Sequence, residues 1–135
     1  MRVYIAYKYR AVEDKDELIK NLELISGAIT ALEHSPFVLG RDIQRWHATA
    51  SSVYKTIPHI IVNILKSDLV FAFINSEVKS HGLSFELFCA KLFGKPIVLA
   101  KRTGTAFDFN GLRPVQSLDF NDLQDLLKKI SILKL

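Results

Sequence analysis

Hydrophobic residues along the chain alternate between short β-rich runs and longer segments with helical spacing. The runs RVYIA (2–6) and DLVFAFI (68–74) are apolar on both faces, as expected of strands buried in a parallel sheet. Segment 13–34 instead repeats leucine and isoleucine every three or four residues, which is the helical period. The whole pattern predicts strands at 2–6, 36–40, 68–74, 94–100 and 115–120, and helices at 13–34, 53–67, 83–93 and 121–135.

The alternation of strands and helices predicts an α/β fold with one five-stranded parallel sheet. Helices should cover both faces, which gives a three-layer α/β/α sandwich of the doubly wound, flavodoxin-like (Rossmann-like) type. Polar loops are expected at 41–52 and 101–114, with Asn121 as the N-cap of the last helix. In such sheets ligands bind beyond the carboxyl ends of the strands.

Composition narrows the class of protein. A length of 135 residues, 49% of them hydrophobic, fits a single folded domain spanning 1–135. The net charge of +4 suits an anionic small ligand and is too small to indicate nucleic-acid binding. A single cysteine, Cys89, excludes an internal disulfide, and no apolar run is long enough to span a bilayer. We therefore expect a cytoplasmic protein that binds neither membrane nor nucleic acid.

Familiar ligand-binding signatures are missing from the sequence. It contains no GxGxxG, no Walker loop, no GxSxG and no histidine spacing typical of zinc, so no metal or cofactor is predicted. One carboxylate, Glu86, lies in the predicted first turn of helix 83–93, where it could stabilise the helix dipole or point into an apolar pocket. Polar residues expected at the same sheet edge are Tyr7, Lys8, Tyr9, Arg10, Ser80, His81, Gly82, Ser84, Asn110 and Arg113.

Three segments together carry a resemblance to a known family. RVYIA, SDLVFAFI and HGLSFELFCAKLFGKPIVL are similar to the corresponding segments of the nucleoside 2-deoxyribosyltransferase-like superfamily. That group includes deoxyribosyltransferases and nucleoside 5′-monophosphate N-glycosidases. The resemblance covers most of the chain, and its specific part is the G-x-x-x-E-L and A-x-x-x-G-K-P motifs. It implies that Glu86 is the nucleophile that attacks the anomeric carbon of a nucleoside sugar.

The resemblance also implies roles for other residues. Ser80 matches a position that carries an acid in the transferases and a phosphate-binding serine in the monophosphate hydrolases, so it favours a phosphorylated ligand with Lys8 and Arg10 as cations. Asn110 matches a residue that reaches the neighbouring subunit's site, which implies a homodimer or larger assembly; it could instead be a turn residue. The predicted substrate-binding residues are Tyr7, Lys8, Arg10, Ser80, Gly82, Ser84 and Asn110.

The sequence departs from the family at the residue that protonates the leaving base. The family has an aspartate on the helix before the third strand, and the matching position here is Ile60. His59 could supply the proton only if the helix were rotated, because adjacent helical residues point about 100° apart. Asp68 opens its strand and is expected to be a structural residue at the amino end of the sheet.

The expected function is cleavage or transfer at the N-glycosidic bond of a nucleoside or nucleoside 5′-monophosphate, with Glu86 and His59 as candidate catalytic residues. Two alternatives stay open because the acid is missing. A TIR-like NAD⁺ glycohydrolase would expel nicotinamide, which leaves without needing a proton. A non-catalytic nucleotide-binding or signalling module would keep the pocket without turnover.

Overall fold

A computed structural model describes residues 1–8, 14–42, 53–75, 81–105 and 113–134. The order of elements follows the predicted one, with one short additional helix after the second strand and no helix in the described residues between the fourth and fifth strands. The strands are β1 (Arg2–Tyr7), β2 (Ser35–Val38), β3 (Leu69–Ile74), β4 (Ile97–Arg102) and β5 (Gln116–Phe120). The helices are α1 (Lys15–Ala31), α2 (Leu39–Asp42), α3 (Val53–Lys66), α4 (His81–Leu92) and α5 (Leu123–Ser131).

The five strands form one parallel sheet in the order β2-β1-β3-β4-β5. This is the strand order of the flavodoxin-like doubly wound fold, and the predicted fold class is confirmed. The chain order reverses between β1 and β3. Crossovers leave toward opposite faces at that point, so the carboxyl ends of these two strands open a crevice where such folds bind ligands.

Side chains of each strand alternate between two apolar layers. In β1, Val3, Ile5 and Tyr7 pack in the layer formed with α1 and α5. Tyr4 and Ala6 pack in the opposite layer, formed with α3 and α4. The two-residue period of a strand therefore decides which helices each β1 side chain meets.

The last helix is capped one residue later than predicted. Its N-cap is Asp122, whose Oδ1 accepts a hydrogen bond from the backbone N–H of Asp125 at 2.8 Å. The backbone N–H of Asn121 donates to Asp125 Oδ2 at 3.0 Å. The prediction of Asn121 as the cap was wrong because these reciprocal bonds place Asn121 outside the helix.

A short helix replaces the end of the predicted second strand. Strand β2 ends at Val38, and α2 occupies Leu39–Asp42. The carboxylate of Asp42 accepts a hydrogen bond from the backbone N–H of Val38 at 2.9 Å. Arg41 donates to the hydroxyl of Ser26 at 2.7 Å and so ties this turn to α1. These local side-chain bonds end the strand early.

Helix α4 begins at His81, two residues earlier than predicted, so Glu86 lies in its second turn rather than its first. Strand β4 continues to Arg102, into the segment predicted as a loop. Within the described ranges, no helix has both the length and the apolar character needed to cross a membrane.

Candidate functional site

Helix α4 carries Glu86 on the side that faces the sheet. Glu86 is only 7% exposed, and Leu83, Leu87 and Ala90 of the same helix are buried around it. Phe88, on the outer side of the helix, is 53% exposed. The carboxyl group therefore points into the apolar layer between α4 and the sheet, and not toward solvent beside the helix terminus.

Burial changes the acidity of this carboxyl group. Desolvation raises the pKa of Glu86 to about 8, because an apolar surrounding disfavours the charged form. The hydroxyl of Tyr4 opposes this effect and lowers the pKa of Glu86. Near pH 7 about a tenth of the molecules thus carry the carboxylate. Such a group can act as a nucleophile or base after losing its proton, and as an acid before.

Tyr4 is the neighbour of Glu86 that the sequence analysis missed. It is fully buried in β1, and its pKa is raised by burial and then by the charge of Glu86. Its hydroxyl makes no hydrogen bond of normal length and angle with any described residue. It nevertheless lies close enough to Glu86 to lower the pKa of that carboxyl group by hydrogen bonding, with a geometry short of the normal one. A tyrosine inside a buried strand normally needs a polar partner, which is a signal present in the sequence.

Cys89 lies one turn beyond Glu86 and is also buried. Burial raises the pKa of its thiol, and the negative charge of Glu86 raises it further. A thiol in these surroundings stays protonated near neutral pH, so it is a poor nucleophile. Glu86 is therefore the better nucleophile of the two.

Tyr7 lies on the opposite face of the sheet from Glu86, although it was predicted to bind substrate. Its side chain packs in the α1/α5 layer. The backbone N–H of Gly40 donates a hydrogen bond to the Tyr7 hydroxyl at 3.0 Å. This contact fixes the start of α2 against the end of β1, and gives the phenol a structural role.

Some of the remaining residues predicted at the ligand edge lie in the described ranges, and others lie outside them. Lys8 directly follows β1 and is half-buried, while the exposed Gly82 and the half-buried Ser84 lie in the first turn of α4. These positions lie at the carboxyl ends of β1 and β3, as predicted. The predicted residues that lie outside the described ranges are Tyr9, Arg10, Ser80 and Asn110.

The position expected to hold an acid is apolar in the structure as well as in the sequence. Ile60 is 7% exposed and packs in the same layer as Tyr4. The adjacent His59 is exposed, and its backbone carbonyl accepts a hydrogen bond from Asn63 Nδ2 at 2.7 Å. The helix is not rotated in the way that would bring His59 into this layer.

Two further charged residues lie at the amino end of the sheet. Asp68 precedes β3, and its Oδ2 accepts a hydrogen bond from the backbone N–H of Arg2 at 2.9 Å, which confirms its structural role. Arg113 was expected at the ligand edge, and this was wrong. The backbone N–H of Val115 donates to the carbonyl of Ile97, the first residue of β4, so the chain has already returned to the amino end.

No metal-binding group of three or more His, Cys, Asp or Glu side chains occurs in the part of the chain that the structure describes. An open groove of about 590 Å³ lies elsewhere, between the edge strand β5 and the end of α5. Glu86 is not among its lining residues.

Solved structures of two nucleoside-processing enzymes share this architecture. The CMP N-glycosidase BcmB of Clostridium botulinum superposes with a TM-score of 0.69 and 19% sequence identity, covering 98% of both chains. A 2-deoxyribosyltransferase of Bacillus psychrosaccharolyticus gives a TM-score of 0.64 and 19% identity over 99% of this chain and 93% of its own.

A conserved protein of Enterococcus faecalis V583 gives a TM-score of 0.59 and 14% identity over 96% of both chains. No protein-family model and no curated protein sequence matches the chain. At these identities the likeness establishes the architecture alone. The chain therefore shares the fold of these two enzymes, which is the fold that the sequence resemblance implied.

Proposed function

We propose that this protein is an enzyme that cleaves or transfers the N-glycosidic bond of a nucleoside or nucleoside 5′-monophosphate, with Glu86 as nucleophile. The observation that carries the proposal is the burial of the Glu86 carboxyl group beside Tyr4, in the layer between α4 and the sheet. An isolated buried carboxyl costs stability, and groups with such perturbed acidity cluster at functional sites. The likeness to an N-glycosidase and a deoxyribosyltransferase supports the same reaction class.

The reaction proceeds in two displacements at the anomeric carbon. A Glu86 carboxylate oxygen forms a bond to this carbon while the bond to the base nitrogen breaks, and the electron pair leaves with the base. The base gains a proton from solvent. Water, or the nitrogen of a second base, then attacks the same carbon, loses its proton and releases the Glu86 carboxylate. Neither step requires a cofactor.

The raised pKa of Glu86 sets a condition on this mechanism. The nucleophile is the carboxylate, and Tyr4 is the neighbour that favours it. Positive charge that develops on the sugar in the transition state also favours the carboxylate. We therefore propose that Tyr4 positions and partly stabilises the charged form of Glu86, while the apolar layer keeps it poorly solvated and reactive.

The lack of an acid at position 60 favours leaving groups that depart easily. Ile60 cannot protonate a base, and the exposed His59 is not placed to do so. This observation supports one second candidate, an NAD⁺ glycohydrolase, because nicotinamide leaves from a cationic nitrogen as a neutral molecule. Incubation with nucleotides, nucleosides and NAD⁺, described below, distinguishes this candidate from nucleoside or nucleotide cleavage.

Assembly into a homodimer is a further part of the proposal. The adjacent helices α3 and α4 carry four large apolar side chains that are 44–65% exposed: Val62, Leu65, Phe88 and Leu92. Apolar groups concentrated on one surface are typical of an interface. Sedimentation at micromolar concentration should show a dimer or larger species. A protein that sediments strictly as a monomer would contradict the proposed dimer. Asn110 could then not contribute to the site of a neighbouring subunit.

The function is tested by incubating the protein with three kinds of substrate. These are cytidine 5′-monophosphate and its deoxy form, deoxynucleosides with an added free base, and NAD⁺. Chromatography of the products should show base release or base exchange with the first two. Release of nicotinamide alone would select the second candidate, and binding without any product would indicate a module without catalysis.

A further inference from the structure

Strand register places a second lysine at the ligand-binding edge of the sheet. Lys101 of β4 pairs with Ile74, the last residue of β3. On the other side of β3, Tyr7 pairs with Phe73, so Lys8 follows at the level of Ile74. Lys8 and Lys101 thus flank the end of β3, two strand spacings or about 10 Å apart.

Both lysines belong to the Glu86 side of the sheet. Ile74 and Leu99 pack in the α3/α4 layer, and Lys101 has the same parity as Leu99 along β4. Lys8 follows Tyr4 and Ala6 at the same two-residue period. Glu86 enters this layer from α4, whose N-terminus follows β3 in the chain.

Among the described residues, none forms an ion pair with the ammonium group of Lys8 or Lys101. Asp119 pairs with Lys101 across β4 and β5, but no ion pair within 4.0 Å joins them. Within the described ranges, neither Lys8 nor Lys101 donates a side-chain hydrogen bond. Both side chains are half-buried, which lowers the cost of holding them against a ligand.

We infer that Lys101 acts with Lys8 to hold a phosphate group of the substrate at the end of β3, on the Glu86 side of the sheet. This inference rests on the proposed function and selects phosphorylated substrates within it. A phosphate carries close to two negative charges and accepts several hydrogen bonds, so two lysines that converge from flanking strands match it. The α4 N-terminus at the same edge adds favourable electrostatics.

Calorimetric titration of Glu86→Gln, which keeps the ligand intact, tests this site with cytidine 5′-monophosphate, cytidine and inorganic phosphate. The Glu86→Gln protein should bind cytidine 5′-monophosphate at least about tenfold more tightly than cytidine. Adding Lys101→Gln should remove about tenfold of the monophosphate affinity and leave cytidine binding unchanged. Adding Lys101→Arg should retain the preference.

Arg102→Gln is the matched control. Arg102 is the next residue of β4, but it pairs with Phe120 on the α1/α5 side, and it is exposed. Its replacement should leave all three affinities unchanged. Equal losses in Lys101→Gln and Arg102→Gln would indicate diffuse electrostatic attraction and overturn the site, as would an unchanged preference in Lys101→Gln.

The outcomes also separate this inference from the proposed function. If the enzyme cleaves nucleosides and binds them as tightly as monophosphates, the phosphate site is wrong and the function stands. If neither cytidine nor its monophosphate binds, but inorganic phosphate binds in a manner that depends on Lys101, the anion site stands and the proposed substrate class is wrong. Melting temperatures of all variants should agree within a few degrees.

Discussion

Two tyrosines three residues apart in β1 contrast the two faces of the sheet. Tyr7 packs in the α1/α5 layer, where its hydroxyl accepts a hydrogen bond from the backbone N–H of Gly40. Tyr4 packs in the α3/α4 layer, where its hydroxyl has no well-formed partner among the described residues and faces Glu86. The first tyrosine is satisfied by the fold. The hydroxyl of Tyr4 is instead explained by its effect on the pKa of Glu86.

The same contrast extends to the helices. Helix α1 buries polar side chains that have ordinary partners, such as Ser26, which accepts a hydrogen bond from Arg41. Helix α4 buries Glu86, whose ionisation costs free energy in that layer. Folding alone would favour an apolar residue there. The difference is what the proposed function leads us to expect, because the α3/α4 layer holds the proposed nucleophile.

The largest expected effect is on catalysis. Glu86→Gln keeps the shape of the side chain and much of its hydrogen bonding but cannot form the glycosyl ester. Turnover should fall by orders of magnitude, and ligand affinity should change far less. Single-turnover assays and calorimetry measure the two quantities separately. Equal rates for the mutant and the parent would remove Glu86 from the mechanism.

The same substitution should change how stability depends on pH. The folded protein keeps the Glu86 proton up to pH of about 8, whereas an unfolded glutamate loses it near 4.5. Unfolding therefore releases a proton between these values, and the free energy of unfolding falls as the pH rises through this window.

Glu86→Gln removes this pH-dependent fall in the free energy of unfolding. Its free energy of unfolding relative to the parent should grow by about 1.4 kcal/mol per pH unit from pH 4.5 to 8, and then level off. Urea unfolding at pH 5 and at pH 8 measures the difference. A gap that is the same at both pH values would show that Glu86 ionises normally in the folded protein.

A pair of tyrosine substitutions sharpens the contrast between the faces. Tyr4→Phe should raise the pKa of Glu86, because the hydroxyl lowers it, and move the acidic limb of the pH–rate profile upward. Activity at pH 7 should fall about tenfold for every pH unit that this limb moves. Tyr7→Phe should leave the profile in place and cost about 1 kcal/mol of stability, because the bond to Gly40 is lost.

A displaced profile in Tyr7→Phe, or an unchanged one in Tyr4→Phe, would contradict these assignments. Thermal melts of both variants provide the control. Tyr4→Phe removes a buried hydroxyl without a well-formed partner among the described residues and should melt no lower than the parent.

The smallest effect is expected at His59. Its side chain is exposed while Ile60 occupies the α3/α4 layer, so His59→Ala should change the rate less than about twofold. The shape of the pH–rate profile should also stay the same. A limb of the profile that disappears in this variant would show that His59 does transfer a proton.

Ile60→Asp is the complementary gain-of-function variant. A carboxyl at this buried position would stand where the superfamily carries its acid, at some cost in stability. Faster cleavage of substrates with poor leaving groups, but not of NAD⁺, would support the view that the missing acid limits the choice of leaving group.

The sequence by itself determined the order of elements, because apolar runs and helical periods are local properties of the chain. It therefore predicted the parallel sheet, the helix that carries Glu86 and the structural position of Asp68. The caps and ends of elements were less well predicted. Asp122 and Asn121 are equally good cap residues in isolation, and only the bonds to Asp125 distinguish them.

Tertiary structure decided what surrounds Glu86. The apolar residues that surround Glu86 in the sequence left open whether it stabilises the helix terminus or points into an apolar pocket. Tyr4 lies 82 residues earlier in the chain, and only packing of α4 over β1 brings the two together. The pKa of Glu86 depends on that packing, because desolvation is a property of the assembled layer and not of the glutamate or its neighbours in sequence.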